Sequence, residues 1–227
     1  MKSKLMFIFF IFIASCFVMG TQVVDLTMKF DTLVNGTIRI PQFFGMENLA
    51  TERYINEEQY SEASHFVDLL FKQAEEDKKD FEKQGREFRN FEVATEYKVG
   101  LNNDNCLSFY VDYYRFAGGA HGMTERKSVN YNLRTGLKLS LSDIFAKNVD
   151  YEKVILEEIN SVIKEELEDD PHLYFEDHLD FLDYNKGFYL TEDELVIYFQ
   201  LYEIAPYYRG IIEFPIDRSL FGDGLIY

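Results

Sequence analysis

Apolar residues recur along this chain with two periods, and the switches between them mark the elements. Residues 23–30 alternate weakly and predict a strand. Asn35-Gly36 predicts a hairpin turn, with Thr37 to Ile40 as the return strand and Pro41 as its end. The period then becomes helical. Ala63, Phe66, Val67, Leu70, Phe71 and Ala74 fall on one stripe. Asn56 is the predicted N-cap, Gln59 stands at the capping-box position, and the helix is expected to run to Gly85 with a charged, solvated end.

Period two returns at Phe91, Val93, Thr95, Tyr97 and Val99, and again at Leu107, Phe109, Val111 and Tyr113. With Asn102 to Asn105 between them, these runs predict a hairpin. A strand is predicted over 127–133, and Leu137, Leu139 and Leu141 follow at period two, with Ser142 as a cap for a short turn through Phe145. Asp150 opens a second helix with its stripe at Val154, Ile155, Ile159, Val162, Ile163 and Leu167. Asp170-Pro171 can open a short one. Strands are predicted over 187–191, 195–202 and 210–214. Residues 195–202 are apolar on both faces, so that strand should be central and covered twice. The pattern predicts an α+β fold: an antiparallel sheet with two long amphipathic helices packed on one face. Residues 21–227 are expected to form one compact unit, with a weak seam near residue 117.

Composition narrows the class. Of 227 residues, 47% are hydrophobic, with 22 Phe and 16 Tyr, which is enough for a packed core. Formal net charge is −17. Setting aside the first twenty residues removes Lys2 and Lys4, leaving 21 basic against 40 acidic side chains, or −19. Such a surface repels nucleic acid and anionic headgroups and favours a cationic partner.

The N-terminus reads as a secretory leader: two lysines, then Leu5 to Met19 apolar except for Ser15. Three endings stay open. Ile13-Ala14-Ser15-Cys16 resembles a lipobox, in which Cys16 would be lipidated. Cleavage after Gly20 is the second. The third is an uncleaved anchor, since Leu5 to Val24 is about long enough to span a bilayer. Each puts the body outside the cytoplasm, with membrane contact only through residues 1–20. Cys106 is then the one cysteine of the body and reads as a small buried or turn residue.

Common catalytic signatures are absent: no G-x-S-x-G, no H-E-x-x-H, no P-loop and no dinucleotide glycine pattern. No cofactor is implied. His172 and His178 flank Glu176 and Asp177, but six residues separate their rings by about 240° on a helix or about 20 Å on a strand, so no metal site is expected. Two turns hold the candidate chemistry. One is Tyr113 to Gly122, where His121 sits among glycines that allow close backbone approach, beside Tyr114. The other is Tyr198 to Tyr208, where Tyr202, Tyr207 and Tyr208 offer large area with a polar tip. Glu203, before an apolar turn, calls for a partner, with Arg209 or His121 as candidates.

Tyr114 to His121, Leu133 to Phe145 and Leu195 to Tyr207 together resemble the extracellular domain family of lysozyme-sensing anti-sigma factors, a module that also precedes the catalytic domain of some peptidoglycan deacetylases. The resemblance implies an α+β fold outside the membrane and, in the anti-sigma members, recognition of lysozyme. The chain is expected to carry neither a cytoplasmic sigma-binding segment nor a deacetylase domain. The expectation is a non-catalytic binding module of the bacterial cell envelope, taking a cationic protein such as lysozyme or a cell-wall glycan (peptidoglycan). Its binding residues are expected to be His121, Tyr114, Glu203, Tyr202, Tyr207 and Tyr208. The alternatives are a glycan-acting enzyme using His121 and Glu203 as an acid–base pair, and a structural envelope lipoprotein.

Overall fold

The computed structural model describes residues 7–9, 21–183 and 186–227. The leader expected over residues 1–20, with Cys16 and the site after Gly20, lies outside these residues except for a three-residue strand β1 (Phe7–Phe9). Its backbone pairs antiparallel with residues 27–29 of β2 (Gln22–Asp31). The fold is α+β, and it forms two compact units. The first holds the chain up to Tyr97 together with Val111–Thr124; the second holds Lys98–Tyr110 and Glu125–Tyr227. Three strands, β4 (Phe91–Asn102), β5 (Cys106–Phe116) and β6 (Met123–Asn132), each contribute to both.

In the first unit β2 pairs antiparallel with β3 (Val34–Phe44), from Gln22↔Phe44 to Asp31↔Asn35. The turn is therefore Thr32-Leu33, and Asn35-Gly36 lies inside the strand rather than at the expected bend. The glycine answers a different demand. Residues 34–37 pair in parallel with residues 91–94 of β4, and a Cβ on Gly36 would lie 1.8 Å from the Val93 carbonyl oxygen. Only a residue without a side chain admits that approach, and its φ of +140° also favours glycine. Pro41 does not end β3 either. By Pro41 the strand has left its pairing with β4, so the missing N–H costs no ladder bond on that side.

A parallel pair needs a crossover, and α1 (Leu49–Lys83) supplies it. This helix begins before the predicted cap. Asn48 is the N-cap, its Oδ1 accepting from Ala50 N (3.1 Å) and Thr51 N (3.2 Å). Asn56 instead clamps the helix to β3, accepting from Phe43 N and donating to Phe43 O, both at 2.7 Å. Ile55, Ala63, Val67, Leu70, Phe71 and Ala74 are buried, and α1 packs on β3. Phe66, predicted on the same stripe, is half-buried and meets Tyr113 edge-on at 5.0 Å.

In the second unit β8 (Glu194–Phe199) lies between β7 (Phe188–Leu190) and β9 (Ile212–Asp217), antiparallel to both. Five consecutive residues, 195–199, are buried, as their two-faced apolarity predicts. One face carries Leu195, Ile197 and Phe199 into a cluster with Ile155, Ile159 and Ile163 of α2 (Tyr151–Asp169). The other carries Val196 and Tyr198, with Tyr189, against Tyr110. Each fully buried isoleucine contributes roughly 1.5–3 kcal/mol over its exposed state. Several expectations are corrected. The two helices do not share one sheet: α1 packs on β3 and α2 on β9. The sheet containing β3 and β4 is mixed, not wholly antiparallel. Asp170-Pro171 opens turns, not a helix, and β8 ends at Phe199 rather than Tyr202. Leu137 and Leu139 form no strand beyond a bridge of Lys138 to Tyr131, and Ser140, not Ser142, precedes the short 3-10 turn Leu141–Ile144.

The close pass at Gly36 makes a sharp prediction. Gly36→Ala must separate β3 from β4 or distort both, so it should lower stability by more than about 3 kcal/mol or prevent folding. Urea unfolding followed by circular dichroism measures it; a loss below about 1 kcal/mol would show that the two backbones are not held this close.

Candidate functional site

The candidate residues divide between the units. Tyr114 and His121 belong to the first; Tyr202, Glu203, Tyr207 and Tyr208 belong to the second. In the first unit the ring of Tyr114 occupies the space a side chain at Gly122 would need, since a Cβ there would lie 2.3 Å from it. His121 is exposed, with Nδ1 3.0 Å from the Gly122 carbonyl oxygen.

The second turn, residues 200–209, follows β8 and is pinned from several sides. Glu203 Oε2 accepts from Gln200 N (2.7 Å), and Glu203 N donates to Gln200 O (3.1 Å). The other carboxylate oxygen, Oε1, pairs with Lys186 Nζ. The ion partner of Glu203 is thus Lys186, where the sequence pointed to Arg209 or His121. The Lys186 side chain is only 6% exposed and its ammonium lies 3.6 Å from the centre of the Phe199 ring. Burial holds this ammonium below the usual lysine value, with Glu203 pulling the other way. Arg209 is committed elsewhere: Nη2 donates to Glu166 Oε2 (2.5 Å) and to Tyr174 Oη (3.1 Å), while Tyr174 Oη donates to Glu166 Oε2 (2.7 Å). Burial, reinforced by Glu166, pushes the Tyr174 hydroxyl up to about 12, so it stays a donor at neutral pH.

These ties fix the end of α2, Tyr174, Phe175, Lys186 and the turn to one another. Phe175 N also donates to Ile204 O (2.9 Å). Above them the aromatic rings are open to solvent. Tyr202 is 48% exposed, Tyr208 68% and Phe175 55%. The rings of Tyr202 and Tyr207 meet at a tilt of 33°, with centroids 5.5 Å apart. Tyr202 has φ +65°, the single positive value outside glycine among the described residues. Holding a tyrosine there costs on the order of 1 kcal/mol and persists only where the surroundings over-determine it. Gln200 supports the base: Nε2 donates to Arg126 O (2.7 Å), and Oε1 accepts from Arg126 N (3.0 Å). Arg126 is itself buried, with its guanidinium 3.6 Å over the Tyr110 ring and paired with Glu213.

The flanking segment is acidic. Glu165, Glu168, Asp169, Glu176, Asp177 and Asp180 are all exposed. His178 pairs with Asp177 (2.7 Å) and Asp180 (3.1 Å), which hold its imidazole above the usual histidine value, the hydrogen bond to Asp177 being the largest cause. Among the described residues no group of three or more His, Cys, Asp and Glu is placed to hold a metal ion. Cys106 is buried, and desolvation pushes its thiol up to about 12, far from a reactive thiolate.

Sequence reading named the tyrosines and Glu203 as candidates and gave no sign of Lys186, Arg126 or the Glu166–Tyr174–Arg209 triad. Glu203 alone carried a signal, as a charge beside an apolar turn that needed a partner. Breaking that pair leaves a buried ammonium uncompensated, with the cost reduced because Glu203 is half exposed. Glu203→Gln should lower stability by about 2 kcal/mol, and Lys186→Met in the same chain should restore most of it. Urea unfolding of the single and double variants tests this; equal stabilities of Glu203→Gln and the parent would show the pair to be dispensable.

Two family models match. Residues 29–124 match one described as Deacetylase PdaC, and residues 142–219 match one described as a protein of unknown function, DUF3298. The first match ends at Thr124, where the first compact unit also ends. Among curated proteins, the chain is 27% identical over 178 residues to the peptidoglycan-N-acetylmuramic acid deacetylase PdaC of Bacillus subtilis, covering 74% of this chain and 36% of that protein. It is 24% identical over 196 residues to the anti-sigma-V factor RsiV of the same organism, covering 83% and 65%. The chain therefore spans less than two thirds of either relative. Solved DUF3298 structures share the fold. One from Bacteroides fragilis superposes with a TM-score of 0.67 at 21% identity, covering 92% of this chain and 95% of that one. Another, from Pseudomonas aeruginosa, gives 0.54 at 18% identity, covering 92% and 94%. With a PdaC segment followed by a DUF3298 segment, and relatives of both kinds, the chain carries the RsiV-like, PdaC-associated domain.

Proposed function

We propose that this chain is a non-catalytic binding module acting outside the cytoplasm at a bacterial cell envelope, and that the tyrosine turn 200–209 is the surface with which it takes a cationic protein such as lysozyme. The observation that carries the proposal is the preorganised ring platform. Tyr202 and Tyr208 stand exposed on a turn already fixed by Lys186, Glu203 and Arg209, so a partner orders little on docking. Tyrosine gives large contact area at low entropy cost. The acids around residues 165–180 supply long-range attraction to a cationic face, which speeds encounter and weakens with salt. The leader over residues 1–20 and the likeness to an anti-sigma factor and a peptidoglycan deacetylase support the place. Both oxygens of Glu203 are engaged, which favours an anchoring role over that of a general base. Tyr114 and His121 are proposed as further contacts on the first unit.

Lysozyme flowed over the immobilised chain should bind at low salt and bind more weakly at physiological salt. Tyr208→Ser should weaken binding about tenfold without changing stability. Tyr202→Gly should also weaken it, while raising stability by up to about 1 kcal/mol through release of the positive φ. No binding at either salt removes lysozyme as the partner. A cell-wall glycan is the second ligand the same rings suit, and it would bind with little dependence on salt.

A further inference from the structure

The first unit holds a cavity of about 330 Å³ lined by phenylalanines. Phe81 from the last turn of α1, Phe88 from the connection into β4, Phe91 at the start of β4 and Phe116 at the end of β5 form its walls. The rings brace one another. Phe81 meets Phe88 at 6.1 Å and 90°, and Phe88 meets Phe91 at 5.5 Å. Phe91 is buried, whereas Phe81, Phe88 and Phe116 are half-buried and keep surface toward the opening. Gly118 and Gly119 form one lip, with φ of +86° and +93° and open space where a Cβ would stand.

Two features give this cavity a chemical preference. Asp77, on the α1 side, lines it and has no ion-pair partner among the described residues. Two of the rings already carry cations from the chain itself. The guanidinium of Arg86 lies 4.3 Å from the centre of Phe81, and that of Arg89 lies 4.9 Å from the centre of Phe116. Arg89 also lines the cavity, yet its side chain is 76% exposed and its contact with Glu92 is a long 3.5 Å. It is a loosely held resident. Ring faces attract cations through their quadrupole, and a nearby carboxylate adds to that attraction. A neutral apolar guest would leave Asp77 unused.

We propose that this cavity receives a cationic side chain of a partner protein, a lysine or arginine whose aliphatic stem lies against Phe88 and Phe116 and whose charge is taken by Asp77, with Arg89 as the internal cation it displaces. The site shares no residue with the tyrosine turn and stands or falls independently of it.

The test uses the full chain and two probes, Nα-acetyl-lysine N-methylamide and its uncharged counterpart Nα-acetyl-norleucine N-methylamide. Binding is read from the backbone amide resonances of Gly118 and Gly119. The lysine probe should shift both saturably, and the norleucine probe should not. Asp77→Asn should weaken lysine-probe binding about threefold, and Arg89→Ala should tighten it by a similar factor. Arg89 is exposed and Asp77 half-buried, and an unchanged thermal midpoint confirms that the variants stay folded. Equal binding of the two probes, indifference to Asp77→Asn, weakening by Arg89→Ala, or no shift with the lysine probe would each overturn the proposal.

Discussion

The second unit depends on burying cations beside its central strand. Because β8 is covered on both faces, the charged groups at its edges have little water. Arg126 lies over Tyr110 and pairs with Glu213; Lys186 lies over Phe199 and pairs with Glu203. Each buried cation needs both a ring and a carboxylate, since attraction in a dry setting offsets desolvation only when the geometry is good. That requirement fixes the backbone on either side. Glu203 must stand where Lys186 can reach it, so the chain leaving β8 turns at once, and Tyr202 is carried into a left-handed conformation. The exposed rings of the turn follow from what is buried beneath them.

A similar economy of contacts governs the first unit. The parallel pairing of β3 with β4 sets the two backbones so close at Gly36 that no side chain fits, and the crossover helix α1 covers β3 on the other count. Asn56 links helix and strand through both faces of one amide, so a residue with the composition of a cap serves as a clamp. The same helix ends in Phe81, which joins Phe88, Phe91 and Phe116 around a cavity that the chain's own arginines border. Both proposed binding surfaces thus pair aromatic faces with carboxylates, in keeping with an acidic chain rich in Phe and Tyr.

Periodicity alone fixed much of this molecule. The stripes at Ala63 to Ala74 and at Ile155, Ile159 and Ile163 point inward as expected, because burial of an apolar helix face is decided by the spacing of its own residues. The two-faced apolarity of residues 195–199 likewise announced a covered central strand. The glycine turn and the tyrosine turn were legible as breaks in strand pattern, and Glu203 as a charge out of place. What local pattern could not decide was partner choice. Asn35-Gly36 reads as a bend in isolation, and only the approach of Val93 from a distant strand shows why the glycine stays inside β3. Asn56 reads as a cap until Phe43 is seen to use it. Lys186 finds Glu203 across 17 positions, Arg209 finds Glu166 across 43, and Arg126 finds Glu213 across 87, separations that no window of local sequence spans. Pairing of buried charges is set by where packed strands and helices bring their ends together, and that is a property of the tertiary structure alone.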